Sequence, residues 1–139
     1  MAEIRTVGVC GAGLMGSGIA QTCASAGFNV VLMEVAQEPL TRGMAGITKS
    51  LDKFVEKGKL SQTDRDATVG RLKTTTQVND LAKCAIVIEA IVENVDVKTT
   101  LFRQLDELLA PDAIICTNTS SLCVVEFAAK TKRPNKVAG

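Results

Sequence analysis

A chain of 139 residues that is 46% hydrophobic, with a formal net charge of +1, reads as one soluble globular domain with enough apolar matter for a core. The near-neutral balance excludes the basic footprint of a nucleic-acid or acidic-membrane binder. With 3% aromatic residues and no Trp or Tyr, base-stacking platforms are excluded too.

Five cysteines (Cys10, Cys23, Cys84, Cys116 and Cys123) form no C-x-x-C pair, and no histidine is present to complete a zinc set. They are expected to be small buried hydrophobes in a reducing compartment. No apolar run approaches membrane-spanning length. The first strand begins so near Met1 that a signal peptide has no room. A cytoplasmic protein without membrane or nucleic-acid partners is the expectation.

In chain order, "TVGVC" (6–10) reads as a buried strand and "LMGSGIAQTCASA" (14–26) as a helix that Gly27 stops. "NVVLME" (29–34) is a second strand. "RLKTT" (71–75), "AIVIEA" (85–90) and "AIICTN" (113–118) follow as three more, and "KVAG" (136–139) opens a sixth. Nearly unbroken apolar runs are the mark of strands covered on both faces of a parallel sheet. Alternation with helices gives a doubly wound α/β domain of the Rossmann type. Between the second and third strands lie two helical stretches, 37–56 and 61–69, broken by "KGK". Ser61 and Asp64 have the spacing of a capping box. This insertion is expected to be a helical hairpin projecting away from the sheet.

The stretch "GAGLMGSG" (11–18) follows the first strand and opens the first helix, which is the setting a G-x-G-x-x-G turn needs to hold a dinucleotide. Gly11 allows the tight turn, Gly13 lets the backbone approach a pyrophosphate, and Gly16 lets the helix pack close. Ala12, Leu14 and Met15 complete that turn, and the helix amides face the phosphates. Glu34, ending the second strand, is positioned to accept hydrogen bonds from the adenosine ribose. Its charge repels a 2′-phosphate and Val35 follows it rather than Arg, so NAD is expected over NADP.

Two later stretches, "VIEAIVENVDVKTTLF" (87–102) and "ICTNTSSL" (115–122), complete a pattern with "GAGLMGSGIA". In that order they resemble the NAD-binding domain of the 3-hydroxyacyl-CoA dehydrogenase family, most nearly its 3-hydroxybutyryl-CoA type. The resemblance runs from Val7 to Gly139. It implies oxidation of a 3-hydroxyacyl-CoA to the 3-ketoacyl-CoA in fatty acid or butanoate metabolism, with hydride passing to nicotinamide. Most of the family has Asp where this chain has Glu34. Ala90, Glu93 and Lys98 match positions lining the nicotinamide half of the cofactor site, and Ser120 matches a serine near the nicotinamide and the substrate hydroxyl. Ser50 and Lys57, in the hairpin, match contacts to coenzyme A. Their seven-residue spacing puts both near one helix face.

The residues also allow plainer roles. Asn118, Thr119, Ser120 and Ser121 are good N-cap types before "LCVVEFAAK", and Lys98 could be a solvated lysine on a helix face. The family's catalytic histidine, oriented by a glutamate, lies just beyond the segment resembling "KVAG". No histidine and no Tyr-Lys pair stands in for it here. The family's C-terminal helical domain, which completes the substrate site and usually a homodimer, is likewise outside these residues. The chain is therefore expected to be the cofactor-binding part of a longer enzyme and inactive by itself. Two other readings compete. One is a standalone NAD-binding or sensing module. The other is a β-hydroxyacid dehydrogenase, which shares a G-x-G-x-M-G turn but would need a different serine-glycine motif and a downstream lysine.

Overall fold

Residues 3–139 are described by a computed structural model. Among them, six strands form one parallel sheet: β1 Thr6–Cys10, β2 Asn29–Met33, β3 Leu72–Thr75, β4 Ile86–Glu89, β5 Ile114–Thr117 and β6 Val137–Ala138. Their spatial order is β3-β2-β1-β4-β5-β6. The chain winds outward from β1 through β2 to β3, then returns to pair β4 with the other side of β1. That reversal opens a crevice beyond the carboxyl ends of β1 and β4, where open α/β sheets take their ligands. The six sequence-predicted strands are all present, most of them a residue shorter at one or both ends.

Register aligns the site. Cys10 lies opposite both Met33 and Glu89, and Glu89 lies opposite Thr117. The residues that follow, Gly11, Glu34, Ala90 and Asn118, are thereby delivered to one edge of the sheet.

Alternate strand residues serve opposite faces. Val9, Val30 and Leu32 join Ala20, Ala24, Leu40, Ile47 and Leu51 in one core. Cys10, Val87 and Ile115 join Leu101, Phe102, Leu105 and Phe127 in the other. In the second core the Phe102 and Phe127 rings stack with centroids 5.4 Å apart.

Helix α1 (Leu14–Ser25) ends where Phe28 N–H donates to the Cys23 carbonyl at 3.2 Å, just past Gly27. Helix α2 (Gln37–Glu56) and helix α3 (Gln62–Gly70) are the inserted hairpin, and Ser61 Oγ caps α3 by accepting from Asp64 N–H at 3.0 Å. The hairpin does not stand clear of the sheet. The buried stripe Leu40, Gly43, Ile47 and Leu51 recurs at helical spacing and packs α2 into the same core as α1. The Arg71 guanidinium, just after α3, ties in by donating to the Ala24 carbonyl at 2.9 Å.

Helix α4 (Val95–Leu108) starts at Asn94, whose side chain accepts from Val97 N–H at 3.1 Å. Arg133 closes its other end: the buried guanidinium donates to Asp106 Oδ1 at 2.7 Å and to the Ala110 carbonyl at 2.6 Å. The five-residue helix α5 (Val124–Ala128) is preceded by Cys123, with no side-chain cap. None of the four residues 118–121 is therefore its N-cap. Thr119 instead builds a turn, its Oγ1 accepting from Leu122 N–H at 3.1 Å.

The thiols divide by position. All five are free, with Cys10 and Cys84 buried as expected, Cys23 and Cys116 half-buried, and Cys123 exposed. Cys123 corrects the expectation because it lies in the loop before α5 rather than in a strand. Burial pushes the Cys84 thiol up to about 11.

Candidate cofactor site

The turn between β1 and α1 is shaped by two backbone approaches. Gly11 has φ +105°, and a Cβ there would lie 2.5 Å from the Ala90 carbonyl oxygen. A Cβ on Gly16 would lie 1.8 Å from the Gly11 carbonyl oxygen. Side chains at either position would force β1, β4 and α1 apart. Gly13 differs: a Cβ there meets nothing within 4 Å. It faces open space at the start of a twelve-residue helix whose N-cap residue offers no side-chain hydrogen bond. First-turn helix amides have no intrahelical acceptor, and the positive end of the helix dipole adds to their pull on an anion.

Glu34 binds this turn together. Its Oε2 accepts from Ala12 N–H at 3.1 Å and its Oε1 from Val35 N–H at 2.9 Å. The carboxylate is half-buried, so its orientation is fixed while part of it faces solvent. Gly11, Gly13, Glu34 and Ala90 all line one cleft of about 680 Å³. Its remaining wall is largely apolar, with Met33, Val35, Val78, Ile91 and Val92 among its members. Such a cleft suits a flat base and a ribose. The residues present fit a dinucleotide: space over Gly13 for a pyrophosphate, free amides beside it, and a fixed carboxylate one strand away. Leu14 and Met15 are exposed on the first turn of α1, outside this cleft.

A second set of side chains meets beyond β4 and β5. Glu89, fully buried, accepts from Lys98 Nζ at 2.6 Å, Thr117 Oγ1 at 2.6 Å and Ile91 N–H at 2.7 Å. Lys98 also pairs with Glu93 Oε1 at 3.1 Å, and its side chain is 1% exposed. It is not a solvated lysine. Glu93 Oε2 accepts from Thr119 Oγ1 at 2.7 Å and Ser121 Oγ at 2.9 Å. The Thr119 hydroxyl and the Lys98 ammonium, aided by Ser121, outweigh desolvation and hold the Glu93 carboxyl below its ordinary value. Ser120 lies between these two pinned neighbours and is exposed. Glu89 and Thr117 escaped the sequence reading. The signal was an acid closing an otherwise apolar strand, which obliges a buried partner.

Ser50 and Lys57 do not line one groove. Ser50 accepts from Gln21 Nε2 at 3.0 Å and lines a groove of about 500 Å³ between α1 and α2, with Gly13, Ser17 and Arg42 also on its walls. Lys57 lies past the last helical residue as the C-cap of α2, exposed and outside that groove.

Residues 6–139 match the family model described as "3-hydroxyacyl-CoA dehydrogenase, NAD binding domain". The chain is 45% identical over 137 residues to a 3-hydroxybutyryl-CoA dehydrogenase of Mycobacterium tuberculosis, covering 98% of this chain and 48% of that protein. A probable 3-hydroxybutyryl-CoA dehydrogenase of Deinococcus radiodurans is 48% identical over 133 residues, covering 95% and 47%. Among solved structures, M. tuberculosis FadB2 superposes with a TM-score of 0.94 at 44% identity, covering 98% of this chain and 48% of that one. The chain thus spans about half the length of these relatives. Glycine turn, sheet order and family match agree: this chain belongs to the 3-hydroxyacyl-CoA dehydrogenase family, as its NAD-binding domain.

Proposed function

We propose that this chain binds NAD as the cofactor half of an enzyme that oxidises the 3-hydroxyl of a 3-hydroxyacyl-CoA, of the 3-hydroxybutyryl-CoA type. The observation that carries this reading is the single cleft shared by Gly11, Gly13, Glu34 and Ala90. Bound NAD supplies the hydride acceptor. Gly13 and the first amides of α1 hold its pyrophosphate, and Glu34 accepts from the adenosine ribose. Ala90, Glu93 and Lys98 frame the nicotinamide end, where Ser120 donates or accepts a hydrogen bond at the ring's substituents or the substrate oxygen.

Coenzyme A is proposed to meet the hairpin at Ser50, whose groove runs along α1 from Gly13, with Lys57 farther along at the end of α2. In the whole enzyme, a homodimer of the cytoplasm in this reading, a histidine outside these 139 residues takes the hydroxyl proton. The test is calorimetric titration of the chain with NAD and with coenzyme A. NAD binding that Gly13→Leu abolishes, in a variant that keeps its fold, supports the assignment. Equal NAD binding by wild type and variant refutes it.

A further inference from the structure

The loop that carries Ser120 hangs on Glu89, a buried charge inside the 87–102 motif to which the resemblance assigns no role. Two hydrogen-bonded routes leave Glu89. One passes through Thr117, whose hydroxyl donates to Glu89 Oε1 at 2.6 Å and accepts from Thr119 N–H at 3.3 Å. The other passes through Lys98 to Glu93, and from Glu93 to the Thr119 and Ser121 hydroxyls. The backbone adds a third tie, Asn118 N–H donating to the Glu89 carbonyl at 2.8 Å. Both flanks of Ser120 are therefore fixed, while Ser120 itself is exposed.

Removing a carboxylate and an ammonium from water is costly, and an apolar pair of similar volume commonly stabilises a core as well or better. Stability is thus a poor account of Glu89 and Lys98. Geometry is a better one. A carboxylate with three donors on three different segments (β4's own exit, α4 and β5) sets the mutual position of all three. We propose that Glu89 is a positioning residue for the nicotinamide end of the cofactor site, acting through Lys98–Glu93 and Thr117 to hold Ser120 in place. It touches no ligand itself, being fully buried. The proposal rests on the NAD reading above.

Two ligands separate positioning from folding and from that reading. ADP-ribose carries the adenosine, pyrophosphate and second ribose but no nicotinamide ring, so its affinity reports the half of the site built by Gly13 and Glu34. The difference in affinity between NAD and ADP-ribose reports the nicotinamide end. In the wild-type chain NAD binds more tightly than ADP-ribose. Glu89→Gln keeps ADP-ribose affinity and loses about tenfold in NAD affinity, the effect of roughly one charge-assisted hydrogen bond.

Glu89→Gln could fail to fold, so Thr117→Val and Thr117→Ser carry the same test at a smaller perturbation. Valine removes only the hydroxyl and loses the nicotinamide increment, whereas serine restores it. A purely structural role would weaken both ligands together and track the unfolding midpoint. An unchanged NAD to ADP-ribose ratio in Glu89→Gln and Thr117→Val overturns the positioning role and leaves the cofactor reading standing. A wild-type chain that binds neither ligand overturns both.

Discussion

The Ala12 amide donates to Glu34 Oε2 at 3.1 Å across 22 residues of sequence, so the glycine turn and Glu34 are one unit. Glu34→Ala should then do more than remove a ribose acceptor, because it also frees the Ala12 amide and loosens the turn. A weakening of NAD binding by roughly 1–3 kcal/mol is expected. NAD should bind far more tightly than NADP to the wild type, since a carboxylate proposed to meet the adenosine ribose would repel a 2′-phosphate and the next residue is Val35 rather than Arg. The discrimination should shrink in Glu34→Ala. Calorimetry with both cofactors checks this, and equal affinities in the wild type would remove Glu34 from the ribose site.

Lys98 sits between two carboxylates with 1% of its side chain exposed. Lys98→Met leaves the buried Glu89 carboxylate without its cation and should destabilise the chain by about 3–5 kcal/mol. The double variant Glu89→Leu, Lys98→Met removes the orphaned charge and should recover much of that loss. Urea denaturation of the singles and the double gives the coupling directly. A double variant no more stable than Lys98→Met would mean that the pair itself holds the fold together.

Sequence pattern reached the sheet, the glycine turn and the acid that follows β2 because each is announced by its neighbours in the chain. The turn is eight residues, and Glu34 announces itself as an acid closing an apolar strand. Glu89 is the same kind of acid, but its partners are nine and 28 residues away and meet only through the β4–β5 register and the start of α4. Lys57 keeps the helical i→i−4 bond to the Lys53 carbonyl at 3.1 Å as the C-cap of α2, but it does not line the groove that holds Ser50. The hairpin's docking was also invisible locally, since the partners of Ile47 and Leu51 are strand and helix residues from elsewhere.

Asp106 gives an acid-dependent test of the fold. Burial acts to raise its pKa, but the Lys132 amide at 2.7 Å and the Arg133 guanidinium at 2.7 Å outweigh burial and the net shift is downward. A carboxyl whose folded value lies below its unfolded value contributes stability above the unfolded value, near pH 3.9. That contribution is lost as pH falls through the folded value. The wild type should therefore lose stability more steeply than Asp106→Asn below about pH 4. Urea midpoints measured across that range decide it; parallel curves would show that Asp106 is not a source of the acid dependence.

The hairpin can be examined on this chain alone. If coenzyme A enters the groove between α1 and α2, its addition should perturb the amide resonances of Ser50, Gln21 and Ser17, which share that groove. Ser50→Ala should weaken the response about two- to tenfold, the scale of one neutral hydrogen bond. Lys57→Ala should weaken it too if the end of α2 meets a coenzyme A phosphate. Perturbations confined to the cofactor cleft would leave Ser50 and Lys57 as ordinary surface residues.

Catalysis needs a group that takes the substrate hydroxyl proton, and this chain has no histidine. Glu93 is the carboxylate that accepts hydrogen bonds from both neighbours of Ser120. Both its oxygens are already engaged, by the Thr119 and Ser121 hydroxyls and by Lys98. Those donors hold its carboxyl below the ordinary value, which makes it a weaker base than a free glutamate. Lys98 is buried against Glu89 and Glu93, and a serine hydroxyl such as that of Ser120 is too weak a base near neutral pH. Loss of a general base commonly removes about 100- to 10,000-fold of rate. The purified chain is therefore expected to bind NAD and to give no measurable NADH when incubated with NAD and 3-hydroxybutyryl-CoA. Absorbance at the NADH band follows the reaction. Turnover near that of a full-length relative, with contaminating dehydrogenase excluded by a Gly13→Leu control, would show that a base among these 139 residues suffices.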